Sequence, residues 1–276
     1  MQDFKLSPSK IVLHEKCERK FYYSYIENIK EPNTASTIRG TIFHKIIEEL
    51  YKVIDFKKFY GKHWKNTYES LTQIMNTFLE LEWKKIGSEY DNVFENEKES
   101  NEYLEETKDF VEFYCLKEAY RLYNFFKKNN PENKWFNTNL KKEFLPKSSE
   151  EYINVNNLHG YIDKTINVFG KGVGIVDYKT SRTPIPHALD ESHLLQLKIY
   201  AYMYYKKTGE LPLHASIYYS RTGESVFSKI EKTTIAEVEK IIKKIRQKHK
   251  EKKEYPQHVT KLCDYCYYNN ICKPAQ

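Results

Sequence analysis

The spacing of apolar residues predicts helices in the first half of the chain and strands in the second. Ser7-Pro8, followed by aliphatic and aromatic residues, indicates an N-capped helix with proline in its first turn, ending near Glu31-Pro32. Cys17 falls in the middle of this predicted helix.

A second predicted helix spans about 38–54, where apolar residues recur at helical spacing. This places Gly40 and His44 one turn apart on one face. Residues 62–130 continue the helical period, with a break near Gly87 and another in an Asn- and Glu-rich stretch. We interpret this stretch as a helical insertion.

After Pro131 the chain turns to short segments rich in β-branched residues and separated by Asn and Gly, which favour strands. Predicted strands and helices then follow in the order β-β-β-α-β-β-α. The strands are 139–145, 158–168, 173–180, 213–220 and a last one that ends at Ile230, and the helices are 189–206 and 234–252.

This order predicts an α/β fold with a mixed central sheet flanked by helices. A chain of 276 residues is long enough for one such domain with elaborations. We divide it into N-terminal helices (1–60), the helical insertion (61–131), the core (132–252) and a cysteine-rich tail (253–276).

The net charge of +7 suits a polyanionic partner such as DNA without demonstrating one. The segment 240–253 holds eight Lys or Arg and one Glu, as either a phosphate-binding strip or a solvated helix face. The chain has no apolar run of membrane-spanning length and no signal-peptide pattern, so we expect a cytoplasmic protein without membrane contact. It also lacks a phosphate-binding loop and therefore a motor of its own.

Asp177-Tyr178-Lys179 ends an apolar strand, and Asp163 lies on the strand before it. Two carboxylates suit Mg²⁺ or Mn²⁺, which are bound by oxygen ligands. Because side chains alternate along a strand, Asp177 and Lys179 share one side, and the Tyr178 carbonyl is available as a further ligand. The pattern predicts metal-assisted phosphodiester chemistry, with Lys179 facing the phosphate.

Four other residues have both a functional and a structural interpretation. His44 either completes the metal shell or is a buried histidine bonded to a backbone carbonyl. Glu143 either adds a carboxylate to the site or is a charged residue at a sheet edge. Gln196 and Tyr200, four apart on one helix, either contact phosphate and support Lys179 or pack the helix on the sheet.

Three cysteines are closely spaced as Cys263-x2-Cys266-x5-Cys272, which predicts a metal site that lacks a fourth ligand. Cys17 is our candidate for that place, ahead of Cys115, which lies in an apolar helical stretch where a cysteine packs. Four thiolates suit Zn²⁺ and an iron–sulfur cluster equally well.

With these motifs the chain resembles the RecB-like branch of the PD-(D/E)XK nucleases, and in particular its iron–sulfur members, the CRISPR-associated RecB-like exonucleases and AddB-type nuclease domains. The matching pieces occur in family order along nearly the whole chain. They are Ser7-Pro8-Ser9-Lys10 with Cys17-Glu18-Arg19-Lys20-Phe21, Gly40-x3-His44, Gly160-x2-Asp163, Asp177-Tyr178-Lys179, Gln196-x3-Tyr200 and the cysteine triplet.

The resemblance implies a metal-dependent exonuclease that acts on single-stranded DNA or DNA ends in CRISPR adaptation and antiviral defence, recombination and repair, or phage DNA processing. It implies Mg²⁺ or Mn²⁺ ligation by His44, Asp163, Asp177 and the Tyr178 carbonyl, catalysis with Lys179, and supporting contacts from Gln196 and Tyr200. It further implies a [4Fe–4S] cluster on the four cysteines, Cys17, Cys263, Cys266 and Cys272.

The chain departs from minimal CRISPR-associated members by its helical insertion, which leaves the pathway open. A helicase or a CRISPR integrase would be the partner that delivers the DNA. Two rival hypotheses are a DNA-end-binding subunit that does not cut and a zinc-ribbon scaffold.

Overall fold

The computed structural model describes residues 4–86, 93–168, 170–181, 190–251 and 253–272. Within them, seven helices of eight or more residues are α1 (Pro8–Lys16), α2 (Glu18–Tyr25), α3 (Ala35–Val53), α4 (Trp64–Trp83), α5 (Glu97–Phe126), α6 (Glu191–Thr208) and α7 (Lys232–Lys250). The strands are β1 (Ser148–Val155), β2 (Leu158–Asn167), β3 (Val173–Lys179), β4 (His214–Tyr219) and β5 (Glu224–Lys229). Short helical turns are Phe56–Phe59, Phe136–Asn139, Leu140–Phe144 and Lys261–Tyr265.

The five strands form one mixed sheet in the order β1-β2-β3-β4-β5. Three of its pairs are antiparallel, whereas β3 and β4 run parallel, with Asp177 opposite Ile217. A parallel pair needs a crossover connection, and α6 lies between these two strands in the chain. The predicted mixed sheet flanked by helices is therefore confirmed.

Each face of the sheet is covered by its own hydrophobic core. On one face α3, α4 and α5 pack around Tyr178 and Tyr218. On the other, α1, α6 and α7 cover Ile175 and Ile217. The predicted helical insertion thus supplies α4 and α5; α5 packs on the sheet through Tyr114, and α4 packs on α3 and α5.

The predicted strand at 139–145 is wrong, because this segment is helical. Phe136, Leu140 and Phe144 lie four residues apart, and Phe136 and Phe144 are both buried in the core with α5. Spacing of four is the helical period, which places all three on one face. The first strand is instead β1, whose one buried apolar side chain, Ile153, gives a weak alternating pattern.

The predicted single helix through Cys17 is also wrong. Cys17 has an extended backbone, with φ −160° and ψ 107°, and separates α1 from α2. The break leaves the Arg19 N–H at the start of α2 free to donate to the Pro256 carbonyl of the tail, at 3.1 Å. The tail therefore accepts a hydrogen bond from the N-terminus of α2, and this N-terminus would not exist if α1 and α2 were one continuous helix.

The glycine of Gly160-x2-Asp163 permits α1 to approach the sheet. A Cβ atom on Gly160 would lie 2.9 Å from Pro8 Cδ, so a side chain here would push α1 away from β2. Just before α1, Leu6 exchanges backbone hydrogen bonds with Asn157 and His159 at the start of β2. The N-terminal segment is thus fastened to the strand that carries Asp163.

The basic helix predicted at 234–252 is α7, and two of its lysines lie beside carboxylates of the N-terminal helices. Lys244 lies 3.9 Å from Glu15, and Lys248 pairs with Glu18. Three positions named in the predicted boundaries, Gly87, Leu189 and Lys252, lie outside the described residues. In the part of the chain that is described, no helix is long and apolar enough to cross a membrane.

Candidate metal centre

The two aspartates meet where β2 and β3 stop pairing. The last antiparallel pair there is Lys164 with Val176, so Asp163 and Asp177 are the next residues on their strands. Asp163 Oδ2 accepts a hydrogen bond from the Tyr178 N–H at 2.8 Å. Both carboxylates are buried, and the Asp163 side chain replaces a bond that the sheet no longer makes.

His44 reaches this point from α3 and contacts oxygen atoms with both ring nitrogens. Its Nε2 donates to the Tyr178 carbonyl at 3.0 Å. Its Nδ1 lies 3.4 Å from Asp163 Oδ2 and 3.7 Å from Glu150 Oε1. The two interpretations of His44, metal ligand and partner of a backbone carbonyl, are therefore compatible. The carbonyl to which it donates is that of Tyr178, which is itself a predicted metal ligand.

Glu150 is the acidic residue that sequence reasoning missed. His44, Glu150 and Asp163 each offer a ligand atom within 4.8 Å of the others, which is a spacing that a metal ion can bridge. Glu150 lies on β1, which the sequence did not predict as a strand, so nothing placed it beside Asp163. The available signal was an acidic run, Glu150-Glu151, shortly before the Gly160-x2-Asp163 motif.

The backbone at Glu150 is unusual and helps to aim its side chain. Its φ is +46°, in the left-handed region that residues other than glycine rarely occupy. The register of β1 and β2 places it opposite Asp163. There β2 is irregular, because Ile162 packs in the core with α6 whereas Lys164 bonds Tyr51 and Tyr114 on the opposite face.

Asp177 and Lys179 lie on the same side of β3, as predicted from strand alternation. Lys179 Nζ is 2.8 Å from Asp177 Oδ2. That oxygen is buried but makes no hydrogen bond of normal geometry with any described group. A buried carboxylate oxygen without such a bond, next to a second carboxylate, a backbone carbonyl and an imidazole, fits a divalent cation.

The electrostatics of the cluster show the same fit. Burial and the neighbouring Asp163 charge raise the pKa of Asp177 to about 6, against the opposing effect of Lys179. Burial opposes the charge of His44, but the Asp163 carboxylate and the contact with Glu150 raise its pKa to about 10. The imidazolium thus supplies the positive charge that a bound cation would supply, and metal ligation by His44 must release its proton.

Gln196 and Tyr200 on α6 face the carboxylates. Gln196 Nε2 donates to the Tyr200 hydroxyl at 2.9 Å. Burial, followed by the charges of Asp177 and Asp163, raises the pKa of Tyr200 well above 10. Gln196 also lines an open groove together with Lys179, whereas Tyr200 is buried behind it.

Glu143 lies elsewhere. It belongs to the helical turn Leu140–Phe144 rather than to a strand, because the segment uses helical spacing to bury Phe144. Its side chain lines a cavity under α5, and it is not among the residues around His44. The structure therefore does not bring Glu143 to the metal centre, and Glu150 provides the additional carboxylate.

The predicted cluster cysteines lie where the tail contacts the first two helices. His258 Nδ1 donates to the Lys16 carbonyl at 2.9 Å, and Tyr23 OH donates to the Ile271 carbonyl at 3.0 Å. Burial raises the pKa of Cys272, and Cys17 is among the charges that raise it further. Cys115 is buried in the helical core, and burial raises its pKa to about 12, so it is a poor candidate for a thiolate ligand.

The mixed sheet carries a cluster of carboxylates, imidazole and lysine at its edge, an arrangement suited to a metal-dependent nuclease. The chain belongs to the PD-(D/E)XK nuclease superfamily, whose family model matches residues 5–273. Metal-binding nuclease activity on DNA, with Mg²⁺ or Mn²⁺, follows from that membership.

One solved structure similar to this chain is described as the crystal structure of SSO0001. The match has 19% sequence identity and a TM-score of 0.30, and it covers 63% of this chain and 78% of the other. No curated protein matches the sequence.

We expect Glu150→Gln to weaken Mn²⁺ binding by about 10- to 100-fold, because the amide removes one anionic oxygen beside His44 and Asp163. Isothermal titration with MnCl₂ measures the affinity. Glu49→Gln is the matched control, since Glu49 pairs with Lys52 on the same helix as His44. Equal affinity in Glu150→Gln and wild type would remove Glu150 from the metal centre.

Proposed function

We propose that the protein is a RecB-like, metal-dependent DNA exonuclease that acts on single-stranded DNA or free DNA ends. The observation that carries the proposal is the convergence of His44, Asp163, Asp177 and Lys179 at one sheet edge, next to an open groove. Silent DNA-binding relatives would have no chemical use for the full set of metal ligands together with the lysine.

Each residue has a distinct role in this proposal. Asp163, Asp177 and the Tyr178 carbonyl hold the cation, with His44 completing its shell. The bound Mg²⁺ or Mn²⁺ supplies polarisation of the scissile phosphate and a lower pKa for the attacking water. Lys179 neutralises charge that develops on the phosphate, because its ammonium lies beside Asp177 and also lines the groove.

In this proposal, residues on α6 contact the substrate beside the metal centre. Gln196 lines the groove, so its amide is available to a phosphate oxygen. The buried Tyr200 hydroxyl accepts from that amide and fixes its direction. Gln196 is therefore the contact residue in this proposal and Tyr200 the residue that positions it.

The groove supports a nucleic-acid substrate. It has a volume of about 620 Å³ and runs from Lys179 to the tail residue Tyr268. Lys16 and Lys30 also line it and offer positive charge along a DNA backbone, whereas Lys20 on the same wall pairs with Glu31 at 2.7 Å. Tyr25 adds an aromatic wall of the kind on which unpaired bases stack, which favours a single strand.

We also propose a [4Fe–4S] cluster on Cys17, Cys263, Cys266 and Cys272. The proposal rests on the resemblance of these cysteine motifs to those of iron–sulfur members of the family, because four thiolates by themselves suit Zn²⁺ and an iron–sulfur cluster equally well.

In this proposal the cluster is structural. It ties the break between α1 and α2 to the tail, and Tyr268 of the tail forms part of the groove wall. Tyr268 OH donates to the Ile29 carbonyl at 2.7 Å, which fastens the same wall to the residues that follow α2. The cluster would therefore hold the substrate groove in shape.

The biological setting that we propose is CRISPR adaptation, recombination and repair, or phage DNA processing. Since the sequence has no phosphate-binding loop, a helicase or an integrase would deliver the DNA end. Such a partner would account for a groove that is open to solvent rather than closed over the substrate.

The test uses anaerobically purified protein with Mn²⁺ or EDTA and three substrates: linear single-stranded DNA, linear duplex and circular single-stranded DNA. We expect Mn²⁺-dependent shortening of the linear single strand and no cutting of the circle. Labels at the 5′ or the 3′ end report the polarity. Equal cutting of the circle would replace exonuclease with endonuclease, and absence of cleavage by cluster-loaded protein would favour the end-binding subunit.

A further inference from the structure

A second cavity, distinct from the groove, lies on the opposite face of the sheet beneath α5. Its volume is about 230 Å³, several times the roughly 30 Å³ that one water molecule occupies in the liquid. It opens beside Phe227, whose side chain is 61% exposed. The carboxylates of the metal centre are not among its lining residues, so it needs a separate explanation.

Three cationic side chains, Lys117, Arg121 and Lys164, line this cavity together with two carboxylates, Glu118 and Glu143, and only Arg121 forms a salt bridge with one of them. Arg121 pairs with Glu118 at 2.5 Å and donates to the Phe144 carbonyl at 2.9 Å. Burial alone would raise the pKa of Glu118, but Arg121 and the nearby lysines lower it to about 2, so this carboxylate is fully ionised. Arg121 is the direct partner of Glu118, whose charge also acts on Lys164 and Lys117 without contact.

The two remaining cations, Lys117 and Lys164, have only neutral hydrogen-bond partners. Lys117 Nζ donates to Ser225 Oγ at 2.9 Å and lies 4.5 Å from the centre of the Tyr218 ring. Lys164 Nζ donates to the hydroxyls of Tyr51 and Tyr114. Within the described part of the chain, neither ammonium forms a salt bridge with a carboxylate.

Two buried or half-buried ammonium groups without a carboxylate contact lower the stability of the folded protein. Removing an ammonium from water without a direct counter-charge costs several kcal/mol, and burial accordingly lowers the pKa of Lys117 and lowers that of Lys164 to about 7. The buried Tyr218 hydroxyl, on the wall of the same cavity, makes no hydrogen bond with any described group. The cavity thus offers two lysines that make no contact with a carboxylate, and a free hydroxyl donor.

We propose that this cavity binds a phosphate group, with Lys117 and Lys164 as its charge partners and the Tyr218 hydroxyl as a further donor. Inorganic phosphate and a nucleoside monophosphate share this chemistry. Phe227 at the mouth gives a nucleotide an aromatic surface for its base, which free phosphate does not use. The ligand would join α5 to β4 and β5 and stabilise the fold.

Thermal unfolding in buffer without added divalent metal tests the proposal with three probes at equal ionic strength: inorganic phosphate, deoxyadenosine monophosphate and deoxyadenosine. We expect phosphate and the monophosphate, at about 100 times their Kd, to raise Tm by roughly 5 °C, and deoxyadenosine to leave it unchanged. A larger shift with the monophosphate would add a base contact to the phosphate site.

Variants assign the effect to this cavity. Lys117→Met keeps the aliphatic stem of a partly exposed side chain and is expected to weaken binding by about 10- to 100-fold. Tyr218→Phe, which removes one hydroxyl, is expected to weaken it by about tenfold. Lys98→Met is the matched control, because Lys98 is an exposed lysine of the same helix and does not line the cavity. Absence of a Tm shift, a shift that Lys117→Met retains, or an equal shift with deoxyadenosine would overturn the proposal.

Discussion

Asp177→Asn is expected to abolish metal-dependent DNA cleavage while making the metal-free protein more stable. The loss of activity should be on the order of 10³-fold, because the amide removes a charged ligand from the cation. The gain in stability follows from burial, which together with Asp163 raises the pKa of Asp177 to about 6. Cleavage of end-labelled DNA and thermal unfolding measure the two effects.

The sign of the stability change depends on pH. A carboxyl with a raised pKa binds its proton more tightly in the folded state, so wild type loses stability as the pH rises from about 4 to about 6. At pH 7 this amounts to about 3 kcal/mol, which Asn does not incur because it cannot ionise. Asp177→Asn should therefore unfold about 6 °C above wild type at pH 7 without metal, and show less dependence on pH in that range.

Addition of Mn²⁺ should reverse the order of the two proteins. Wild type gains about 2.7 kcal/mol when Mn²⁺ is at 100 times its Kd, whereas Asp177→Asn gains little. Asp109→Asn is the matched control, because Asp109 is an exposed residue of α5. Activity within tenfold of wild type, or an equal gain from Mn²⁺ in the variant, would contradict the assignment of Asp177 as a ligand.

Cys17→Ser is expected to cause the largest loss of stability. If Cys17 completes the four-thiolate site, its removal should release the cluster and with it a stabilisation on the order of 5 kcal/mol or more. The tail would then be held to α1 and α2 by hydrogen bonds such as that from Arg19 N to Pro256 O. Visible absorption, iron and zinc content, and the thermal transition measure the change.

Cys115→Ser provides the matched control for Cys17. Its side chain is buried in the helical core, so the substitution should lower stability by about 1 to 3 kcal/mol while iron content stays unchanged. Full iron content in Cys17→Ser would remove it from the site. Stoichiometric zinc without iron in wild type would replace the proposed cluster with a zinc site.

How far the sequence predicted the fold depended on how distinctly each segment showed its period. β2 and β3 were predicted to within one residue at either end, because their apolar runs end at clear Asn and Gly turns. The segment 139–145 was mistaken for a strand, because only Leu140 and Phe144 of the helical series lie within it, and the third member, Phe136, precedes it. Because the first strand was placed at 139–145, the true first strand, β1, was missed, and Glu150 was missed with it.

The sequence by itself predicted the residues that we propose as the site: Asp177-Tyr178-Lys179 and Asp163 follow from strand alternation and from the ligand preference of hard cations. Only the tertiary structure decided how these residues meet. The contact of His44 with the Tyr178 carbonyl depends on the packing of α3 against the sheet, and the place of Glu150 depends on strand register and a positive φ. Register and packing are long-range properties that no local period specifies, which is why a carboxylate of the centre became visible only in the folded chain.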